Sequence, residues 1–329
     1  MTWPGNGTVL LLPAAILLGL GLGHFFPAAA EPLGGLIDPL VILLLALLFF
    51  EVRFEPLVRA ARHLRFLSLA WVANFVLIPV IGWGIASIFF GKDTALFAGL
   101  LLYFLFPCTD WFLGFTRVAK GDVALGSILL PINLITQLLL FPVYVAVFFG
   151  LQSGADFAGI WGTLMHWFLI PFVGAIVLRL VLSRLLPPSR FEDLPRLAGS
   201  LVSWVLAALV CCIFSVHTPT LVAHPQEFGL ILLAVFLFFV LTALLGEFLA
   251  RRFRLGHPQH VLLSMTTAAR NAPLILGLTT IAMPDQPLVY AALIIGMLVE
   301  FPHLTALSQL LLRQESKPPS SAGSAITAS

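Results

Sequence analysis

The chain has 329 residues, of which 60% are hydrophobic and 10% charged, with a formal net charge of +2. A soluble domain carries about 25% charged residues, so a soluble enzyme or a nucleic-acid binder is excluded as a class. Apolar runs of about 20 residues, each enough to cross a ~30 Å hydrocarbon core, recur along the chain, whereas the ~10-residue alternating segments of an outer-membrane barrel are missing. The composition describes an all-α, polytopic membrane protein.

Ten spans are expected, at 8–26, 33–52, 66–90, 95–118, 123–149, 159–181, 199–217, 228–250, 261–283 and 288–312. The first could pass for a signal peptide, because Ala28, Ala29 and Ala30 resemble a cleavage site. No Lys or Arg precedes it, however, and it reads as a retained span. The second leads into a basic loop with Arg53, Arg59, Arg62 and Arg65. The fourth is interrupted by FPCTD, Phe106 to Asp110, and the ninth by AARNAP, Ala268 to Pro273. The seventh carries Cys211 and Cys212, which read as packing, since no polar residue accompanies them. After Arg313 the tail is small, polar and proline-containing, and residues 314–329 are expected to be a disordered cytoplasmic tail.

The basic residues fix an orientation. With the amino terminus in the cytoplasm, 15 of the 17 Lys and Arg residues fall in cytoplasmic loops or at cytoplasmic span ends. Lys92 lies outside and Arg270 lies within a span. This asymmetry follows the positive-inside rule and expects both termini in the cytoplasm, with the chain in the inner (plasma) membrane.

Five spans per half place the second half in the membrane upside down relative to the first. Two inverted five-helix repeats follow, 1–158 and 159–313, an arrangement known among transporters. Both halves carry an interrupted span, 4 and 9, followed by a loop aspartate, Asp122 and Asp285. Fifteen residues beyond each aspartate stands Gln137 or Glu300. Pro107 and Pro273 break or kink their helices. In lipid such breaks occur where they are buried or line a cavity, and paired breaks point to a transport site. A simple proline kink is the bland alternative.

Ionisable residues inside spans mark function by default. Asp110 and Arg270 are expected to face each other across the two breaks. That pair either neutralises itself as a structural salt bridge or opens on binding substrate or a proton. Glu300, with Asn133 and Gln137, is expected to form a polar cluster that carries the coupling ion together with Asp110. Thr109 and Asn271 either bind substrate or satisfy broken-helix backbone. Cys108 is either a small buried hydrophobe or a soft ligand for a metalloid. Asn74, His166 and His303 read as structural, and Asp38 and Glu247 stand near water. No nucleotide-binding loop, HExxH or other metal motif is present. An enzyme, a cofactor and a resident metal are therefore not expected.

Pro107-Cys108 followed by Ala119-Lys120-Gly121-Asp122, then Asn133 and Gln137 on the next span, resembles the arsenite-efflux permeases of the bile acid/sodium symporter superfamily. ARNAPL at 269–274 and IIGMLVEFPHL at 294–304 are similar to spans 9 and 10 of that superfamily. The resemblance implies a core of spans 3–5 and 8–10, in which spans 4 and 9 cross, and a panel of spans 1, 2, 6 and 7. Substrate would bind in the cleft between them. It also implies that Cys108 handles substrate. Two positions depart from the pattern. Residues 265–271, MTTAARN, hold Arg270 where sodium-coupled members carry a glutamate nearby, and Asp110 stands where relatives have a neutral residue.

The expected function is a secondary active transporter that effluxes arsenite or a related metalloid by alternating access. Substrate-binding residues would be Cys108, Thr109, Asp110, Arg270 and Asn271. Ion-coupling residues would be Asp110, Glu300, Asn133 and Gln137, with a proton or sodium as the ion. A carrier of an organic anion, suited to Arg270, and a passive channel are the alternatives.

Overall fold

The computed structural model describes residues 6–51, 55–91, 94–109, 111–145, 147, 157–223 and 225–315. Twelve helices carry the architecture: α1 (Asn6–Phe25), α2 (Pro27–Glu51), α3 (Leu64–Phe89), α4 (Ala95–Leu105), α5 (Phe112–Val118), α6 (Val123–Val145), α7 (Phe157–Leu185), α8 (Pro188–Val216), α9 (Pro225–Phe253), α10 (His257–Ala268), α11 (Ala272–Ala282) and α12 (Pro287–Glu315). Helix α2 contains a 3₁₀ stretch at Glu31–Leu36, and α3 a π-helical turn at Ala73–Leu77. The ten apolar segments read from the sequence lie mainly on helix where they are described, apart from single residues at some ends and the breaks in the fourth and ninth. Among the described residues six helices are individually long and apolar enough to cross a membrane, and the fourth and ninth segments are each split in two. The protein is an all-α polytopic membrane protein. Helix α12 continues through Gln314 to Glu315, and the rest of the expected tail lies outside the described residues.

The helices pack in two groups. Helix α1 lies along α8, α8 along α2, and α2 against α7. In the second group α4 packs on α12 and on α3, and α9 packs on α3, α10 and α12. Helix α11 touches α2 and α7 and so connects the groups. The α4–α12 contact is close because two glycines permit it. A Cβ on Gly99 would lie 2.7 Å from the Val289 carbonyl oxygen and 2.8 Å from Ala292 Cβ, and one on Gly296 would strike the Tyr103 ring.

Both interruptions have local causes. Helix α4 begins at a Thr94 cap, whose hydroxyl accepts the Phe97 N–H at 3.1 Å. It ends where Phe106 precedes Pro107, because the proline ring drives the residue before it out of the helical region. Phe106 is extended, at φ −114° and ψ 116°. Helix α10 ends at Ala268, and Ala269 is extended at φ −75° and ψ 137°. Pro273 is compatible with the first turn of α11, where an N–H has no intrahelical partner. Its ring would clash with the carbonyl four residues back, that of Ala269, in a continuous helix. The proline therefore sits beyond the break and starts the second half-helix, rather than occupying the break itself.

The two breaks are bonded to each other. Pro107 and Arg270 form an antiparallel bridge. The Cys108 N–H donates to Ala269 O at 3.0 Å, and the Asn271 N–H to Phe106 O at 3.0 Å.

Candidate functional site

Three carbonyls at the breaks lose their helical donors. In continuous helices Phe104 O would accept from Cys108, Thr266 O from Arg270, and Thr267 O from Asn271. Those N–H groups are directed elsewhere, and a buried carbonyl without a donor is costly. One side chain serves all three. Arg270, 1% exposed, donates Nη1 to Phe104 O at 3.0 Å. Its Nη2 donates to Thr266 O at 3.0 Å and to Thr267 O at 2.6 Å. The guanidinium thus closes the carboxyl ends of α4 and α10 together, where helix dipoles present negative charge. Asn74 Oδ1, from the π-helical turn of α3, lies 3.5 Å from Nη2. The Phe238 ring lies 5.6 Å from the guanidinium carbon, a cation–π contact.

Glu300 takes the displaced main chain. Its Oε1 accepts the Arg270 N–H at 3.0 Å. Its Oε2 accepts the Tyr103 hydroxyl at 3.2 Å, and that hydroxyl lies 3.0 Å from Gly296 O. A buried carboxylate, 4% exposed, is thereby tied to the break in one helix and to the body of the other.

On the amino-terminal side of the breaks, Asn271 caps α11 by accepting the Leu274 N–H at 3.4 Å. Its Nδ2 donates across the crossing to Thr109 Oγ1 at 3.0 Å. Cys108 is buried, is in no disulfide, and packs in an apolar cluster with Phe112, Met265 and Ala268. A third polar group joins α3, α6 and α10. Thr266 Oγ1 accepts from Asn74 Nδ2 at 3.1 Å and from Asn133 Nδ2 at 3.2 Å. Asn133 Oδ1 and both polar atoms of Gln137, one turn further along α6, are buried with no partner among the described residues.

The expected site residues therefore divide. Cys108, Thr109, Arg270 and Asn271 meet at the crossing. Glu300 bonds to Arg270 and Tyr103, whereas Asn133 bonds to Thr266. Asp110, the expected partner of Arg270, lies outside the described residues, as does the His166 side chain. His303 stacks on Phe239 at 4.0 Å, and Glu247 pairs with Arg251 and His260 at a helix end. Asp122 caps α6 through the Leu125 N–H at 2.9 Å, while Asp285 takes a left-handed φ of 57° in its turn. The two loop aspartates thus do different structural work. Tyr103, Thr266 and Phe238 were not singled out by sequence, and Asn74 was read as structural. Their one signal is polarity, or a ring, in an otherwise aliphatic span.

Comparison with known proteins bears on what such a crossing does. The family model described as "Sodium Bile acid symporter family" matches residues 38–219, more than half of the chain. An uncharacterized protein, YbaS, of Bacillus subtilis is 24% identical over 318 residues, covering 94% of this chain and 98% of that one. The arsenical-resistance protein Acr3 of Corynebacterium glutamicum is 20% identical over 325 residues, covering 92% of this chain and 88% of that one.

Proposed function

The chain belongs to the Sodium Bile acid symporter family, a family of membrane transporters, and from that premise we propose a secondary carrier that exports arsenite or a related metalloid hydroxide by alternating access. The observation that carries this reading is the crossing itself. Two interrupted helices, bonded through their breaks, place irregular backbone and buried polar groups inside a membrane protein, which is where carriers hold their cargo. The two packing groups, α1, α2, α7 and α8 against the rest, support a panel and a moving core. On this reading the ten spans form two inverted five-helix repeats, with both termini in the cytoplasm of an inner-membrane protein. A reporter fused after Arg313 should read as cytoplasmic.

The metalloid reading rests on Cys108, Thr109 and Asn271. Arsenite is a neutral trihydroxide near neutral pH. A thiol can replace one hydroxide, so that an As–S bond forms, an As–O bond breaks and one water leaves. A single thiol binds loosely enough to release its cargo. Thr109 and Asn271 supply hydrogen-bonding groups beside it. We assign coupling to a proton, carried by Asp110 and Glu300 with Asn133 and Gln137 alongside. The unpartnered atoms of Asn133 and Gln137 support a polar visitor there.

A carrier of an organic carboxylate is the second reading. The start of α11 brings a positive dipole end to the crossing, which suits an anion. Arg270 does not favour it, because both terminal nitrogens of the guanidinium are already held by main-chain oxygens. The test is transport in proteoliposomes under imposed proton or sodium gradients, with arsenite and a panel of carboxylates. Saturable, proton-driven arsenite flux is expected. Flux of carboxylates alone selects the second reading, and flux that neither saturates nor follows a gradient indicates a channel.

A further inference from the structure

The oxygen atoms around the Arg270 guanidinium form a recognisable set. Phe104 O, Thr266 O and Thr267 O come from the carboxyl ends of two half-helices, and Asn74 Oδ1 comes from a π-helical turn. Carriers hold a sodium ion with unwound carbonyls and half-helix carboxyl ends of this kind, and hard oxygen donors are what such a cation requires. The family description names sodium. Yet here the space among these oxygens contains a positive charge that the chain itself supplies. A sodium ion placed there would meet the guanidinium in a buried site, with almost no screening between like charges. With Arg270 in place, the residues do not fit sodium.

We propose that Arg270 is a tethered cation. Its guanidinium permanently fills a monovalent-cation seat between the two half-helix ends, so the crossing takes no dissociable sodium ion. The inference rests on the carrier reading above and narrows its coupling chemistry. A guanidinium suits the seat better than an ammonium would, because its planar fork reaches carbonyls on two different helices at once. Phe238, stacked on Phe104 with ring centroids 4.1 Å apart, closes the seat from the side and adds attraction for any cation held there. A purely structural pin would also explain why Arg270 is needed. The two accounts differ in one respect: a tethered cation can be replaced by a free one, and a pin cannot.

The test uses the full chain purified in detergent, with thermal unfolding as the readout. Replacing choline chloride by sodium chloride at equal ionic strength should leave the wild-type Tm unchanged. A saturable, sodium-specific rise in the wild type would overturn the proposal. Arg270→Ala and Arg270→Gln should lower Tm by about 5 °C or more. Millimolar methylguanidinium or sodium should restore much of that loss in a saturable way, and tetraethylammonium, too large for the seat, should not. A folded variant that neither methylguanidinium nor sodium stabilises overturns the proposal. If neither variant folds, the wild-type comparison still decides whether the crossing takes a dissociable sodium ion. None of these readouts depends on transport, so an absence of arsenite or carboxylate flux would count against the carrier reading and leave this one standing.

Discussion

The main-chain N–H of Arg270 donates to Oε1 of Glu300 at 3.0 Å, while the side chain of the same arginine turns the other way, onto carbonyls at two helix ends. One residue thus gives its amide to an acid and its charge to the backbone. Glu300 is needed first as an acceptor. Glu300→Gln keeps a carbonyl for that N–H and an amide beside the Tyr103 hydroxyl, which also has Gly296 O as an acceptor, whereas Glu300→Ala orphans the N–H. Thermal unfolding in detergent should find Glu300→Ala less stable than Glu300→Gln by about 1–3 kcal/mol. The reverse order would show that the carboxylate does not hold the break.

Thr109 and Asn271 are bonded at 3.0 Å from opposite breaks. A double-mutant cycle with Thr109→Ala and Asn271→Ala should return a stability coupling of about 0.6 kcal/mol, and at most ~1.7, as for other interhelical hydrogen bonds in membranes. Additive losses would mean that the contact contributes nothing to holding the crossing together.

Cys108→Ser should lower arsenite export several-fold and leave protein abundance unchanged. The substitution removes a soft donor and keeps the side chain's size. Arsenite tolerance and immunoblotting of the same cells check it. Undiminished export would remove the thiol from the cargo path.

The α4–α12 contact offers a test with an internal control. Gly99→Ala places a methyl group 2.7 Å from Val289 O, where backbone must move, and should destabilise by about 1–3 kcal/mol. Gly114→Ala meets nothing within 4 Å and should be neutral or gain up to about 1 kcal/mol from helix propensity. Equal melting temperatures for the two variants would show that the close packing of α4 on α12 is unimportant.

Much of the fold was legible because its signals are intrinsic to the chain. Apolar length marks the spans, the pair Phe106-Pro107 marks where one of them breaks, and Asn271 with Pro273 marks where another resumes. The main-chain partners of Arg270 were not legible. A sequence offers Asp110 as its carboxylate, which lies outside the described residues, but a main-chain carbonyl carries no letter of its own. Only the geometry of the breaks reveals that Phe104, Thr266 and Thr267 have oxygens to spare. The partners of Asn74 were not legible for a related reason. A lone asparagine in a span has a bland reading until a π-helical turn presents it to a guanidinium. Asp122 and Asp285 matched in position, yet spacing along a chain does not distinguish a helix cap from a left-handed turn residue.

The bond from Arg270 to Phe104 O spans 166 residues of sequence. At a synthesis rate of about 5–20 residues per second, α4 waits roughly 10–30 s for the side chain that completes it. Until then its last turn carries a carbonyl that lipid cannot satisfy. The amino-terminal half should therefore be held at the insertion machinery, or beside water, until α10 arrives. A truncated chain ending near residue 158 should be cleared by membrane proteases, and supplying the carboxyl-terminal half as a separate polypeptide should protect it.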